Sequence, residues 1–383
     1  MRGRDTTKPA TPLFQDCRSP VNRTLSVYLD LVRFVAALLV FMNHAQHPEL
    51  NGAWLQALGA YGREAVMIFF VLSGYVIAHV SATKERDARD YAISRLARLY
   101  SVVLPALVLT VIADQIGRAL DPALYAGDWY VDSHPVPRFL ANLLFVNEYW
   151  NQSVRAFSNG PFWSMSYEAS YYVIFGLWVY SAPRWRAILV PLALLAVGPK
   201  IVLLFPVWLL GVGVYRLNER WTAPPVLAWL LFVGSFIAFF ALAELHFAKW
   251  SLELSVRWLG KEIVMDSLHY SKFFLNGYVV GLLVAANFIG VNGLRDVFAG
   301  VCAVLERPVR AAAGLTFSIY LFHYPLLHLF RAITASSVLI CALTLAAIAL
   351  LGTYTEQRKS AYKDFFSTLS LVFGASLATR RRS

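Results

Sequence analysis

The sequence predicts an all-α, polytopic membrane protein with about ten transmembrane helices and both termini in the cytosol. Three observations carry that prediction. The 383 residues are 58% hydrophobic and only 15% charged, where ordinary soluble domains carry about 25% charged residues. Mean hydropathy is +0.54. The apolar residues also gather into runs approaching the roughly 20 residues that a helix needs to cross a bilayer. Backbone groups in hydrocarbon must satisfy one another, so runs of this kind are helices.

Residues 1–24 are polar and basic, with no short apolar core or small-residue cleavage site, and read as a cytosolic tail rather than a signal peptide. The first span covers about 25–47 and contains "YLDLVRFVAALLVFMNH". The second, 62–82, carries "FFVLSGYVI", and the third, 99–117, follows the basic stretch "RLARLY". The fourth, 161–181, begins after the turn Asn159-Gly160, with Pro161 suited to the first helical position. Segments 186–198 and 200–217 are short and broken at Gly198-Pro199, so they are two spans or one re-entrant hairpin. Segments 225–245, 271–291, 313–333 and 335–355 complete the set. Residues 25–357 form one membrane domain, and 358–383 read as a second basic cytosolic tail.

The loops give the orientation. With the N-terminus inside, 23 Lys and Arg fall in cytosolic segments and 10 in outer ones, with Arg33 within the membrane. That bias places both termini in the cytosol. It also absorbs much of the +11 net charge without calling on nucleic acid. Two outer loops are long. Residues 118–160 contain "RFLANLLFVNEYW", too short to span but suited to the interface or to dipping back in, and 246–270 carry Trp250 and Trp258, as a lid or interfacial cap would. Trp129, Tyr130, Tyr149 and Trp150 could stack on sugar rings or anchor at the interface. Cys17, Cys302 and Cys341 are odd in number and scattered, which argues against a disulfide framework and a thiolate metal site.

Ionisable groups inside a bilayer cost at least ~2.5 kcal/mol each, so each needs a partner, a wet cavity or a role. Arg33 and His44 are eleven residues apart, three helical turns plus about 20°, so they share a face about 16 Å apart. Asp30 lies one turn before Arg33 and can neutralise it as a structural partner; His44 then remains to be explained. In "NGPFWSMSYEASYY", Ser164 and Glu168 share a face, and Glu168 is expected near the outer side at a depth similar to His44. There it would form either a base with its orienting carboxylate or a structural pair between helices. Arg95 and Arg98 share a face at the cytosolic mouth of the third span, where guanidinium forks suit phosphate and basic residues also serve as topology markers. Ser73 and Gly74 permit close helix approach or leave space for a slim ligand. His323 precedes Pro325, which can kink its helix; a buried histidine bonded to a neighbour's backbone is a more common arrangement there than a catalytic one. His44 and His47 lie about one turn apart, but no further clustered ligand supports a metal, and none is expected.

In this order, these residues resemble the membrane-bound acyltransferase family 3, which O-acylates surface polysaccharides, lipopolysaccharide and nodulation factors. The likeness runs over about 25–360: Arg33 and His44 match its Arg-x10-His motif, followed by "FFVLSGYVI", "RLARLY", "NGPFWSMSYEASYY", "SIYLFHYPLL" and "TEQRK". The resemblance implies transfer of an acyl group, most often acetyl from acetyl-CoA, to a saccharide or glycolipid hydroxyl at the outer side of a bacterial inner membrane. It gives functional weight to Arg33, His44, Arg95 and Arg98 and makes Glu168 and Trp163 site residues. Taken with the reading of the residues themselves, the expected catalytic set is His44, Arg33 and Glu168, and the expected substrate-binding set is Arg95, Arg98, Ser73, Gly74, Trp163, Ser164 and His323. No permanently bound cofactor is implied, and polysaccharide-assembly proteins are candidate partners. Two departures stand out. The proline that commonly follows the Arg pair is delayed to Pro105, and "TEQRK" lacks both the Glu-Arg dipeptide and its proline. Intramembrane Asp30, Arg33, His44 and Glu168 also suit a proton-coupled transporter or an exporter of a lipid-linked sugar, although the chain shows no halves with matching broken helices. A scaffold without chemistry is a third reading.

Overall fold

The computed structural model describes residues 22–47, 50 and 55–380. Cys17 and the terminal "RRS" lie outside the described residues, as does most of the N-terminal tail. All named elements among the described residues are helical. They run α1 (Arg23–Ala45), α2 (Gln56–Gly59), α3 (Gly62–Thr83), α4 (Ala88–Leu120), α5 (Pro135–Leu143) and α6 (Trp163–Tyr180). Next come α7 (Pro183–Val197), α8 (Pro199–Arg220), α9 (Pro225–Glu244), α10 (Phe247–Leu259) and α11 (Phe274–Gly293). The chain closes with α12 (Arg295–Ala313), α13 (Thr316–Arg331), α14 (Ser337–Gln357) and α15 (Lys359–Arg380).

The helix boundaries follow local chemistry. The Asn22 side chain accepts the Thr24 amide at 2.8 Å to open α1, and Asp87 caps α4 through the Asp90 amide at 2.9 Å, as short polar side chains do at N-caps. Proline opens α5, α7, α8 and α9, where its missing N–H costs nothing. Gly198, at φ +86°, ends α7 and begins α8, so two helices occupy the stretch that admitted a hairpin.

Among the described residues, seven helical stretches are long and apolar enough to cross a membrane: α1, α3, α4, α8, α9, His269–Gly293, which ends in α11, and Ser337–Ser370, which links α14 to α15. They coincide with seven of the ten expected segments. The other three are helices as well (α6, α7 and α13, of 18, 15 and 16 residues), but they do not combine that length and apolarity. The protein is therefore a multi-pass, all-helical membrane protein. Apolar side chains face outward on α9, where Val226, Leu230 and Ile237 are all at least 65% exposed, as a lipid-facing helix requires.

The core is built around α3, which packs against α1, α8 and α11. Its approach to α8 brings backbone against backbone. A Cβ added at Gly74 would stand 2.0 Å from the Trp208 carbonyl oxygen, and one at Gly211 would stand 1.9 Å from that of Val71. Small residues at both crossing points are what membrane helices use to pack this closely. Residues 358–383, read above as a tail, are mostly helical: α15 packs along α4, with Arg89 Nε donating to Ser370 Oγ at 2.9 Å and Phe366 against Tyr100.

Candidate active site

A cavity of about 540 Å³ opens between α1, α3, α4, α6, α12 and α13. Six basic residues line it, namely Arg33, Lys84, Arg95, Arg98, Arg310 and Lys359, against two acidic ones, Asp30 and Glu168. The lining is graded. Lys84 at the end of α3, Arg95 and Arg98 near the start of α4, Arg310 at the end of α12 and Lys359 at the start of α15 mark one end. Val66, Phe69, Phe70, Met165 and Tyr320 mark the other. Such a site fits a ligand with an anionic head and a slender, less polar arm.

Asp30 joins two of these cations. Its Oδ1 accepts from Arg33 Nη1 at 3.1 Å and its Oδ2 from Arg310 Nη1 at 3.0 Å. The Asp30–Arg33 pair expected from the one-turn spacing is thus part of a five-membered network that reaches α12, where Arg310 Nε also donates to Glu306 Oε1 at 2.9 Å and Glu306 pairs with Arg23. Arg95 is buried and pairs with Glu85, its guanidinium 5.3 Å from the Tyr91 ring centroid and 5.9 Å from that of Tyr172. It lines the cavity, yet it also ties the start of α4 to the segment after α3. Arg98 lies in the lining one turn further on.

Glu168 belongs to this cavity rather than beside His44. Its Oε1 accepts from Ser73 Oγ at 2.9 Å and from the Tyr172 hydroxyl, and Ser73 Oγ in turn accepts from Trp208 Nε1 at 3.2 Å. The carboxylate–imidazole pair expected from helix depth is not formed. The reason lies in the turn before α6: Ser158, Asn159 and Phe162 are fully buried, with Asn159 Nδ2 donating to the Leu321 carbonyl at 2.8 Å. The helix starts well below the surface, which carries Glu168 deeper toward Arg33. Ser164, one turn earlier, bonds the Tyr320 hydroxyl at 2.7 Å.

His44 meets His323 instead. Its Nδ1 lies 2.9 Å from His323 Nε2, with the two rings stacked at 5.0 Å between centroids. His44 is half-buried and His323 fully buried. Around them lie Tyr324, His47 and Phe41, and His328 stacks on Trp129 at 3.7 Å. The cavity lining stops short of this pair. On α1 it includes Asp30 and Arg33, and on α13 it reaches Tyr320, one turn before His323. Phe69 and Tyr320, with ring centroids 5.5 Å apart, close its apolar end.

Two expected residues serve packing. Gly74 sits against the α8 backbone, while Trp163 stacks flat on Tyr270 at 4.6 Å; neither lines the cavity. Sequence reasoning missed Tyr172, Trp208, Arg310, Tyr320 and Lys359. Only Tyr172 carried a local signal, since it lies four residues after Glu168 and so shares its helical face. The side chain of Glu356 lies outside the described residues.

The fold defines the chain as an integral membrane protein, and its cavity is lined by more cations than anions. An acyltransferase domain family (acyltransferase family 3) matches residues 26–378, and the chain belongs to it. It is 27% identical to the O-acetyl transferase of Shigella phage Sf6 over 169 residues, 42% of this chain and 48% of that protein. It is also 28% identical to acyltransferase MdmB of Streptomyces mycarofaciens over 211 residues, 51% of this chain and 52% of that protein. The chain thus spans about half the length of these curated relatives. No solved structure matches it.

Proposed function

We propose that this protein transfers an acyl group, most simply acetyl, from acyl-CoA on the cytosolic side to a hydroxyl of a saccharide or glycolipid on the outer side of a bacterial inner membrane. The observation that carries the reading is the graded cavity: cations at one end, apolar surface at the other, with Arg33 and Glu168 between them. In this reading Arg98, Arg310 and Lys359 hold the phosphates of the donor, and the pantetheine arm lies along Ser73 and the apolar walls of α3 and α4. Arg33 faces the thioester region, where a guanidinium can stabilise an oxyanion. His44 takes the proton from the acceptor hydroxyl. The new C–O bond forms as the C–S bond breaks, and the proton returns from His44 to the CoA thiolate. For the thioester and His44 to meet, the side chains of Phe69 and Tyr320 must move.

The test uses the purified full chain in lipid nanodiscs with labelled acetyl-CoA and a panel of surface saccharides. Acceptor-dependent release of free CoA and label in the saccharide are expected. His44→Ala should lower that rate by roughly 10²–10⁴, the usual contribution of a positioned base, while the protein remains folded and inserted. Uptake of a labelled solute without CoA release would favour a transporter, whose cavity would likewise open to one side.

A further inference from the structure

We infer that His323 is a positioning residue, fixing His44 in the tautomer whose Nε2 lone pair is free to take the acceptor's proton. The inference rests on the reading of His44 as the base. It follows from a chain of hydrogen bonds with only one consistent direction. His323 Nδ1 lies 2.8 Å from the Ile319 carbonyl oxygen. A carbonyl only accepts, so Nδ1 must carry a proton. His323 is fully buried, and its two bonded neighbours are a carbonyl and an imidazole, with no carboxylate to balance a charge. Burial of an unbalanced charge is costly, so the ring is neutral and its Nε2 is an acceptor. The atom 2.9 Å from that acceptor is His44 Nδ1, which must therefore be the donor. The His44 proton sits on Nδ1, and Nε2 is left as the basic nitrogen.

The arrangement does more than orient the ring. As Nε2 takes a proton, positive charge develops on His44 and its Nδ1–H becomes a stronger donor to His323. A neutral imidazole gives this support without placing a carboxylate at that depth, where a buried charge would itself need a partner. The Ile319 carbonyl, one turn earlier on α13, is the fixed end of the chain, so a backbone atom ultimately sets the tautomer on α1.

The experiment compares His323→Ala and His323→Gln in the full-length protein, with His44→Ala as the reference. Glutamine places a carbonyl oxygen near the former Nε2 and can still accept from His44 Nδ1. His323→Ala should lower kcat by about 10- to 100-fold with the donor KM unchanged, as expected when a base loses its preferred protonation geometry. His323→Gln should stay within about threefold of the parent. Isotope-labelled histidine spectra of the unmodified protein, with His44 assigned by its loss in His44→Ala, should show the Nδ1–H form. Equal losses in both His323 variants, no loss in either, or an Nε2–H form of His44 would each overturn the inference. Full activity in His44→Ala would instead remove the base itself.

Discussion

Lys200 and Glu148 meet at 2.6 Å with neither side chain open to solvent, and Ser153 Oγ donates to the second carboxylate oxygen at 2.8 Å. The pair ties the start of α8 to the loop between α5 and α6. Removing one member leaves the other charged and buried, so Lys200→Met should destabilise the protein by about 3–5 kcal/mol, read as a lower thermal midpoint. Replacing both residues with Met should recover most of that loss. In the cavity, Arg98→Ala combined with Arg310→Ala should raise the donor KM by roughly 10²- to 10⁴-fold, since hydrogen bonds to charged groups contribute about 1.5–3 kcal/mol each; unchanged donor affinity would leave these residues as topology markers. At this scale the sequence was partly legible. Helical spacing placed Asp30 beside Arg33 correctly, because both partners lie on one helix. It could not place Glu168, whose depth is set by a buried turn, or pair His44 with His323, which lies 279 residues away.

Gly74 and Gly211 are reciprocal contact points between α3 and α8, each touching the other helix's backbone. Neither backbone can yield as a flexible side chain would, so Gly211→Ala must push the helices apart. The expected cost is about 1–3 kcal/mol, the usual range for overpacking, read as a lower thermal midpoint. The crossing also holds Trp208 Nε1 against Ser73 Oγ, so the same variant should weaken donor binding through the displaced Ser73–Glu168 bond. An unaltered midpoint together with unaltered donor affinity would contradict this coupling. Helix positions were the most legible feature of the chain, because membrane spans are written locally as apolar runs. The helices that do not combine spanning length with apolarity, α6, α7 and α13, include two that carry polar groups of the cavity and of the histidine pair: Ser164 and Glu168 on α6, and Tyr320 and His323 on α13. Those polar groups lower the apolar signal that a span depends on.

Across the whole molecule, α15 returns along α4 and brings Lys359 to the cavity mouth. Truncation after Arg358 should therefore lower the thermal midpoint and raise the donor KM, whereas Lys359→Ala should raise the KM alone. Donor binding that survives the truncation intact would separate α15 from the site. This return was illegible in the sequence: a basic, weakly apolar stretch reads as a tail, and only tertiary packing turns it into a wall. The same holds for Arg310, which enters the cavity from α12 because α12 packs against α1. The aromatic end of the cavity has one more consequence. An energised membrane holds a voltage and a proton gradient, and an uninterrupted water column from the mouth to the opposite surface would discharge both. With Phe69 and Tyr320 acting as a stopper, the protein can keep a deep recess open on one side while the bilayer around it stays electrically tight.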